Sequence, residues 1–199
     1  MKNALIFLLL SIITYFNMKA QTTATYPNET IKTIHFRKSV RHFTDKKITK
    51  EQIETIVEAG MAAPSAMNGQ PWEFFVITEQ NILVALSKGL SHTPMLDKVS
   101  AAIIVCGNID KTDKIDESLF WMLDCSNASE NILLAIESLG LGAVWTAVYP
   151  DKDKIAFVRK TLNIPDNIIP MNCIPIGYPT GEDKAKDKYK PEKIHWNKW

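Results

Sequence analysis

Residues 63–72 read APSAMNGQPW, and the character of this stretch fixes how the chain on either side is read. Pro64 and Pro71 cannot continue a helix and remove backbone donors. Ser65, Asn68 and Gln70 supply side-chain hydrogen-bonding groups, and Gly69 relaxes the backbone between them. Upstream, Thr49 is a good N-cap with Gln52 at the capping-box position, and Ile48 and Ile53 can form a hydrophobic staple. Ile53, Ile56, Val57 and Met61 then fall on one helical face. Downstream, Trp72 begins an apolar run that predicts a strand over 73–78. A polar, rigid loop is thus clamped between an amphipathic helix and a strand, the setting in which ligand contacts concentrate. Asn and Gln amides both donate and accept, so they can match the edge of a flat heterocycle. The same composition also fits a proline-rich connection capped by a core tryptophan.

The rest of the chain alternates helices and strands. Short helices are expected over 30–35 and 81–87, and a loop containing Pro94 over 89–98. The run AAIIVCG at 101–107 predicts a central strand, buried on both faces. Residues 111–117 are charged, and a lid over a site is one reading of them. Residues 116–139 form the longest helical pattern, apolar over a wide arc, with Gly140 as its stop. Such a helix is central in a core or shared with a partner subunit. Residues 140–150 predict a strand ending at Pro150, 151–162 a helix opened by Asp151 and Asp153, and 171–177 another strand. The alternation argues for an α/β or α+β domain of three layers.

With 199 residues, 46% hydrophobic and 23% charged, the chain has the composition of one globular domain with a sizeable core. A formal charge of +1 excludes a nucleic-acid binder driven by bulk charge. Lys2, the apolar run 4–13 and the small Ala20 before Gln21 read as a secretory signal peptide over 1–20. Its removal leaves 21 basic against 22 acidic residues, no stable membrane insertion, a polar tether over 21–29 and a domain over 30–199. That reading places the protein outside the cytoplasm, in the periplasm; without the signal it is cytoplasmic. Cys106, Cys125 and Cys173 read as buried small hydrophobes, with a disulfide between two of them open if the protein is exported. His35, His42, His92 and His195 show no metal-ligand spacing, and no G-x-G-x-x-G, G-x-S-x-G, H-E-x-x-H or P-loop occurs.

Arg37-Lys38-Ser39-Val40-Arg41 gathers three permanent cations and a hydroxyl, the groups a phosphate wants, although a solvated basic turn has the same composition. Taken with the 63–72 loop, this segment resembles the nitroreductase family of FMN-dependent oxidoreductases. There an R-x-S-x-R segment precedes a P-S-x-x-N-x-Q-P-W loop by some twenty-odd residues. The resemblance runs from about His35 to the C-terminus.

The resemblance implies a central mixed sheet flanked by helices, and a homodimer that exchanges C-terminal arms and holds FMN at the subunit interface. It implies that Arg37, Lys38, Ser39 and Arg41 take the ribityl-phosphate end of FMN, and that Lys186 and Lys188 return to that phosphate. Pro64, Ser65, Asn68 and Gln70 belong to the same site. Trp145, Thr146 and Ala147 lie along the flavin, with a backbone N–H near Ala147 at flavin N5. No side chain is then expected to be catalytic, because the flavin carries the redox chemistry between NAD(P)H and a small acceptor such as a nitro compound or quinone. Two alternatives stay open: a flavin-handling protein without NAD(P)H turnover, and a related flavin dehydrogenase or dehalogenase. Export sits uneasily with a nicotinamide donor, which is scarce outside the cytoplasm. Trp196 and Trp199 near the terminus suggest that this end docks on another surface.

Overall fold

The computed structural model describes residues 26–111 and 119–199. The signal and most of the tether, residues 1–25, and most of the charged 111–117 segment lie outside the described residues. Thr33–Trp199 forms one compact unit. In chain order the elements are α1 (Glu29–Phe36), α2 (Lys50–Met61), β1 (Trp72–Ile77), α3 (Gln80–Gly89), β2 (Ala101–Asn108) and α4 (Phe120–Ser138). They are followed by β3 (Gly142–Ala143), β4 (Thr146–Ala147), α5 (Lys152–Leu162) and β5 (Ile168–Gly177).

The strands pair antiparallel in the order β1-β2-β5-β3, with β4 also on β5, and a parallel bridge between Ser39 and Ala143 makes the sheet mixed. Alternation along β2 sends Ile103 and Val105 to one face and Ala102, Ile104 and Cys106 to the other. The first face packs on Trp121, Cys125, Ile132 and Ile136 of α4 and Ile56 of α2. The second packs on Leu83 and Leu86 of α3 and Val158 of α5. This is a three-layer α+β fold. Each fully buried Ile or Leu contributes roughly 1.5–3 kcal/mol of apolar transfer, so the two-sided burial of β2 anchors the domain.

Helix starts follow the local chemistry. Thr49 Oγ1 accepts from the Gln52 N–H at 3.2 Å while Gln52 Oε1 accepts from the Thr49 N–H at 3.0 Å, closing the capping box. Asp151 caps α5 by accepting from the N–H groups of Asp153 and Lys154. Ile53 and Ile56 are buried as the helical face requires, but Met61 at the end of α2 is 54% exposed. The 89–98 segment is more ordered than a loop: Pro94–Asp97 is a 3-10 turn, and Met95 and Leu96 are buried beneath it.

Residues 142–147 depart from the single strand expected. The ladder with β5 breaks at Val144 and Trp145, opposite Pro175 and Ile174 in the register set by Gly142↔Gly177 and Thr146↔Cys173. Proline has no N–H to give a ladder. A second irregularity lies in β5 itself. Val105 faces Asn172 and Cys106 faces Pro170, so Met171 is the extra residue of a bulge. Its carbonyl accepts from both Val148 and Tyr149, each at 3.0 Å, and there the chain leaves the sheet.

Candidate functional site

The basic segment is pinned by its one apolar residue. Val40 is fully buried, and its N–H donates to the Ala143 carbonyl at 2.8 Å. It fits because Gly142 presents no side chain: a Cβ there would stand 2.7 Å from Val40 Cγ1. With Val40 pointing in, its neighbours Ser39 and Arg41 are exposed. Arg37 Nε pairs with Glu130 at 3.0 Å and Lys38 Nζ with Glu137 at 3.1 Å. Glu130 and Glu137 are seven residues apart on α4, so they share one face of that helix. Among the described residues no carboxylate pairs with the Arg41 guanidinium.

The chain after β5 returns to this segment. Phe43 bridges Pro179, the Thr44 N–H donates to the Tyr178 carbonyl at 2.8 Å, and the Thr180 N–H donates to the His42 carbonyl at 3.0 Å. Asp183 Oδ2 then accepts from the Arg41 N–H at 3.0 Å and the His42 N–H at 3.2 Å, and lies 3.2 Å from His42 Nδ1. Partial burial would raise the Asp183 pKa, but the N–H donors of Arg41 and His42 outweigh it and hold the carboxyl below its ordinary range. Lys186 and Lys188 follow a few residues later and are exposed.

The 63–72 loop is held differently. Ala66 N–H donates to Asp124 Oδ1 at 3.0 Å, and Asn127 Nδ2 to the Pro64 carbonyl at 3.4 Å. Ser65 Oγ accepts from the Gln70 N–H at 3.1 Å, and the Gln70 amide donates to Asn68 Oδ1 at 2.9 Å. Gly69 does not supply the unusual backbone: its φ is −67°, whereas Met67, Asn68 and Gln70 have φ of 50°, 56° and 47°. The glycine serves space instead, since a Cβ there would lie 3.2 Å from the Ala66 carbonyl. Non-glycine residues in this region cost about 1–3 kcal/mol each, and such strain gathers at ligand sites.

The structure joins the segment of Arg37, Lys38, Ser39 and Arg41 to β3 through the Ser39–Ala143 bridge, a few residues before Trp145, Thr146 and Ala147. Trp145 is partly buried against the α4-side core, Thr146 Oγ1 donates to the Cys173 carbonyl, and Ala147 is exposed. Pro64, Ser65, Asn68 and Gln70 belong to a loop held by α4 about one turn before the first glutamate that pairs with the cations. Among the described residues, no hydrogen bond or ion pair joins their loop to the basic segment. What links the two is α4, which holds the loop through Asp124 and Asn127 and the cations through Glu130 and Glu137. The sequence reading missed these four residues and Asp183. Only the seven-residue spacing of the two glutamates hinted at a role. A cavity of about 700 Å³ beside α2 and β1, lined by Ile53, Val57, Met61 and Val76 among others, includes none of the expected site residues.

Comparison with known proteins gives the kind of protein to which this three-layer α+β domain belongs. The model of the nitroreductase family matches residues 34–104 and 88–178. The chain belongs to the nitroreductase family, and it is an oxidoreductase. A protein of Archaeoglobus fulgidus assigned as an NADH dehydrogenase/NAD(P)H nitroreductase is 41% identical over 174 residues, covering 86% of this chain and 99% of that one. The crystal structure of a protein with the same assignment from Parabacteroides distasonis superposes with a TM-score of 0.82. It is 49% identical, with 86% of this chain and 99% of that chain covered. The NADPH:FMN oxidoreductase of Vibrio harveyi, solved with NAD+, is 26% identical with a TM-score of 0.77, covering 86% and 78%.

Proposed function

We propose that this chain holds FMN and passes two electrons from NAD(P)H to a small acceptor such as a nitro compound or a quinone. The observation that carries the reading is the Val40 peg, which lays the R-K-S-V-R segment against Ala143 of β3, a few residues before Trp145, Thr146 and Ala147. The donor set fits the cofactor. Arg41 offers an exposed guanidinium without a carboxylate partner among the described residues, and Ser39 offers an exposed hydroxyl, both suited to a phosphate-bearing chain. Arg37 and Lys38 are already paired, Arg37 with the half-exposed Glu130 and Lys38 with the largely shielded Glu137. The half-exposed pair contributes only about 0–1 kcal/mol, so a phosphate dianion competes readily for Arg37. When bound, FMN supplies the redox chemistry, accepting a hydride from the reduced nicotinamide and delivering two electrons to the acceptor. The exposed strand at Ala147 gives the flat ring system a backbone edge, and the strained 63–72 loop offers the amides of Asn68 and Gln70.

The reading includes a homodimer with the cofactor at the subunit interface. The exposed Leu119, Phe120 and Leu123 around the start of α4 support it. Trp196 and Trp199, 83% and 100% exposed in the single chain, support an arm that docks on a partner. It also includes export, supported by Lys2, the apolar run and Ala20; amino-terminal sequencing of the protein recovered from cells tests the cut.

The test of function is the visible spectrum of the purified protein, without oxygen, before and after NADH or NADPH. A flavin spectrum that bleaches, followed by reoxidation with a nitro compound or quinone, is the expected result. Arg41→Ala is expected to weaken FMN binding while any FMN still bound reduces at an unchanged rate. A protein that takes up no FMN, or an Arg41→Ala variant that binds it as tightly as the parent, overturns the assignment.

A further inference from the structure

Asp183 presents a paradox. It is an acid beside the cations read as a phosphate site, where by Coulomb's law alone it would repel the ligand. Its geometry gives it another task. One carboxylate oxygen takes two successive backbone N–H groups, those of Arg41 and His42, and its side chain is 15% exposed. Bonds from N–H to a carboxylate are about twice as strong as neutral ones. Asp183 ends the stretch in which residues 177–183 run against 42–44, and it opens the stretch that carries Lys184, Lys186 and Lys188. It therefore fixes two things together: the backbone from which the Arg41 guanidinium projects, and the point from which the late lysines depart. Glu182 lies 4.0 Å from His42 Nε2, and Lys184 Nζ donates to the Gly181 carbonyl at 2.7 Å, so the neighbouring side chains are turned into the same clasp.

We propose that Asp183 is a positioning residue for recognition of the phosphate end of FMN, clasping the Arg41–His42 backbone to the lysine-bearing tail; this rests on the FMN reading above. The two roles open to an acid here predict opposite signs. If Asp183 is only a nearby negative charge, its removal tightens FMN. If it is a clasp, its removal loosens FMN.

The test uses the full chain stripped of flavin, with dissociation constants for FMN and for riboflavin, which lacks the phosphate, measured by quenching of flavin fluorescence. In the parent protein FMN binds more tightly than riboflavin. Asp183→Ala is expected to raise the FMN dissociation constant about tenfold, the worth of one charge-assisted hydrogen bond. Riboflavin binding should stay within about twofold, since a ligand without phosphate gains nothing from the clasp. Asp183→Asn keeps an acceptor oxygen and drops the charge, so it falls between parent and Asp183→Ala. It also guards against loss of folding in the alanine variant, which would weaken both ligands alike. An unchanged or increased preference for FMN over riboflavin in both variants overturns the clasp. A parent protein without preference for FMN overturns the phosphate reading first, and the clasp with it.

Discussion

Gly142→Ala probes the joint on which the site depends. The added Cβ would stand 2.7, 2.8 and 2.9 Å from Val40 Cγ1, Cβ and Cγ2. Carbons at rest sit about 3.5–4.0 Å apart, so all three atoms must retreat by roughly 1 Å. Rotating the valine does not help, because its own Cβ is among the clashing atoms and it is fully buried. Relief has to come from the backbone, which means stretching the 2.8 Å bond from the Val40 N–H to the Ala143 carbonyl. Overpacking of this kind costs about 1–3 kcal/mol, and the bond at risk is worth about 1 kcal/mol. Urea unfolding of the flavin-free protein should show a loss in that range, and titration with FMN a weaker dissociation constant, because Ser39 and Arg41 move with Val40. Adding Val40→Ala to Gly142→Ala removes the two Cγ clashes and leaves only the one with Cβ, so the double variant should lose less than the sum of the two single losses. A Gly142→Ala protein within about 0.5 kcal/mol of the parent and with unchanged FMN affinity would refute the idea that this contact seats the basic segment.

Two further outcomes follow from burial and charge. Desolvation raises the thiols of Cys125 and Cys173 to about 12, helped at Cys125 by the charge of Asp124 and opposed at Cys173 by the Thr146 hydroxyl; burial pushes Cys106 higher still. All three are free and buried, so a thiol reagent at neutral pH should label none in the native protein and three after denaturation; fast native labelling would contradict this. Glu73 is held below its ordinary value of 4.5, first by the Lys111 ammonium at 2.8 Å, against partial desolvation and with help from the Asn108 amide. A depressed carboxylate stabilises the fold above its unfolded value and loses that contribution as the pH falls through its folded value. The stability difference between the parent and Glu73→Gln should therefore be flat above about pH 5.5 and shrink below 4.5, never exceeding about 1 kcal/mol for so exposed a pair. A difference that grows toward acid would show the sign to be wrong.

What could be read from the chain alone was whatever rests on neighbours in sequence. The capping box of Thr49 and Gln52, the Asp151 cap and the two-faced burial of β2 all depend on residues within a turn or on a simple period. What escaped depends on distant partners. Nothing near Lys38 announces Glu137, which lies 99 positions away, and nothing near Arg41 announces Asp183. The positive φ angles of Met67 and Gln70 were hidden for a related reason. Glycine is the usual local sign of such a backbone, yet here Asp124 and Ser65 hold ordinary residues in it and Gly69 is conventional. The break in the 142–147 strand had its cause in the sequence all along, at Pro175, but only the pairing register shows what that proline faces.

The extra residue of β5 bears on how the length of this chain can change. Ile174 and Ile176 face the α4 side, as do Met171 and Ile169, while Cys173 and Ile168 face the other. Because Met171 and its neighbour Asn172 both turn toward α4, removing Met171 leaves every remaining side chain of the strand on its present face. Deleting one residue between Asn172 and Gly177 would instead turn one part of the strand over against the other. Position 171 is thus the place in β5 where a one-residue gap keeps every remaining side chain on its face, although it leaves a hole where the buried Met171 packs against α4. Such a gap also withdraws the carbonyl that receives Val148 and Tyr149 and so disturbs the course of the chain just beyond Ala147. A shortened β5 would keep its facing, lose packing under α4 and reshape the chain beside Ala147.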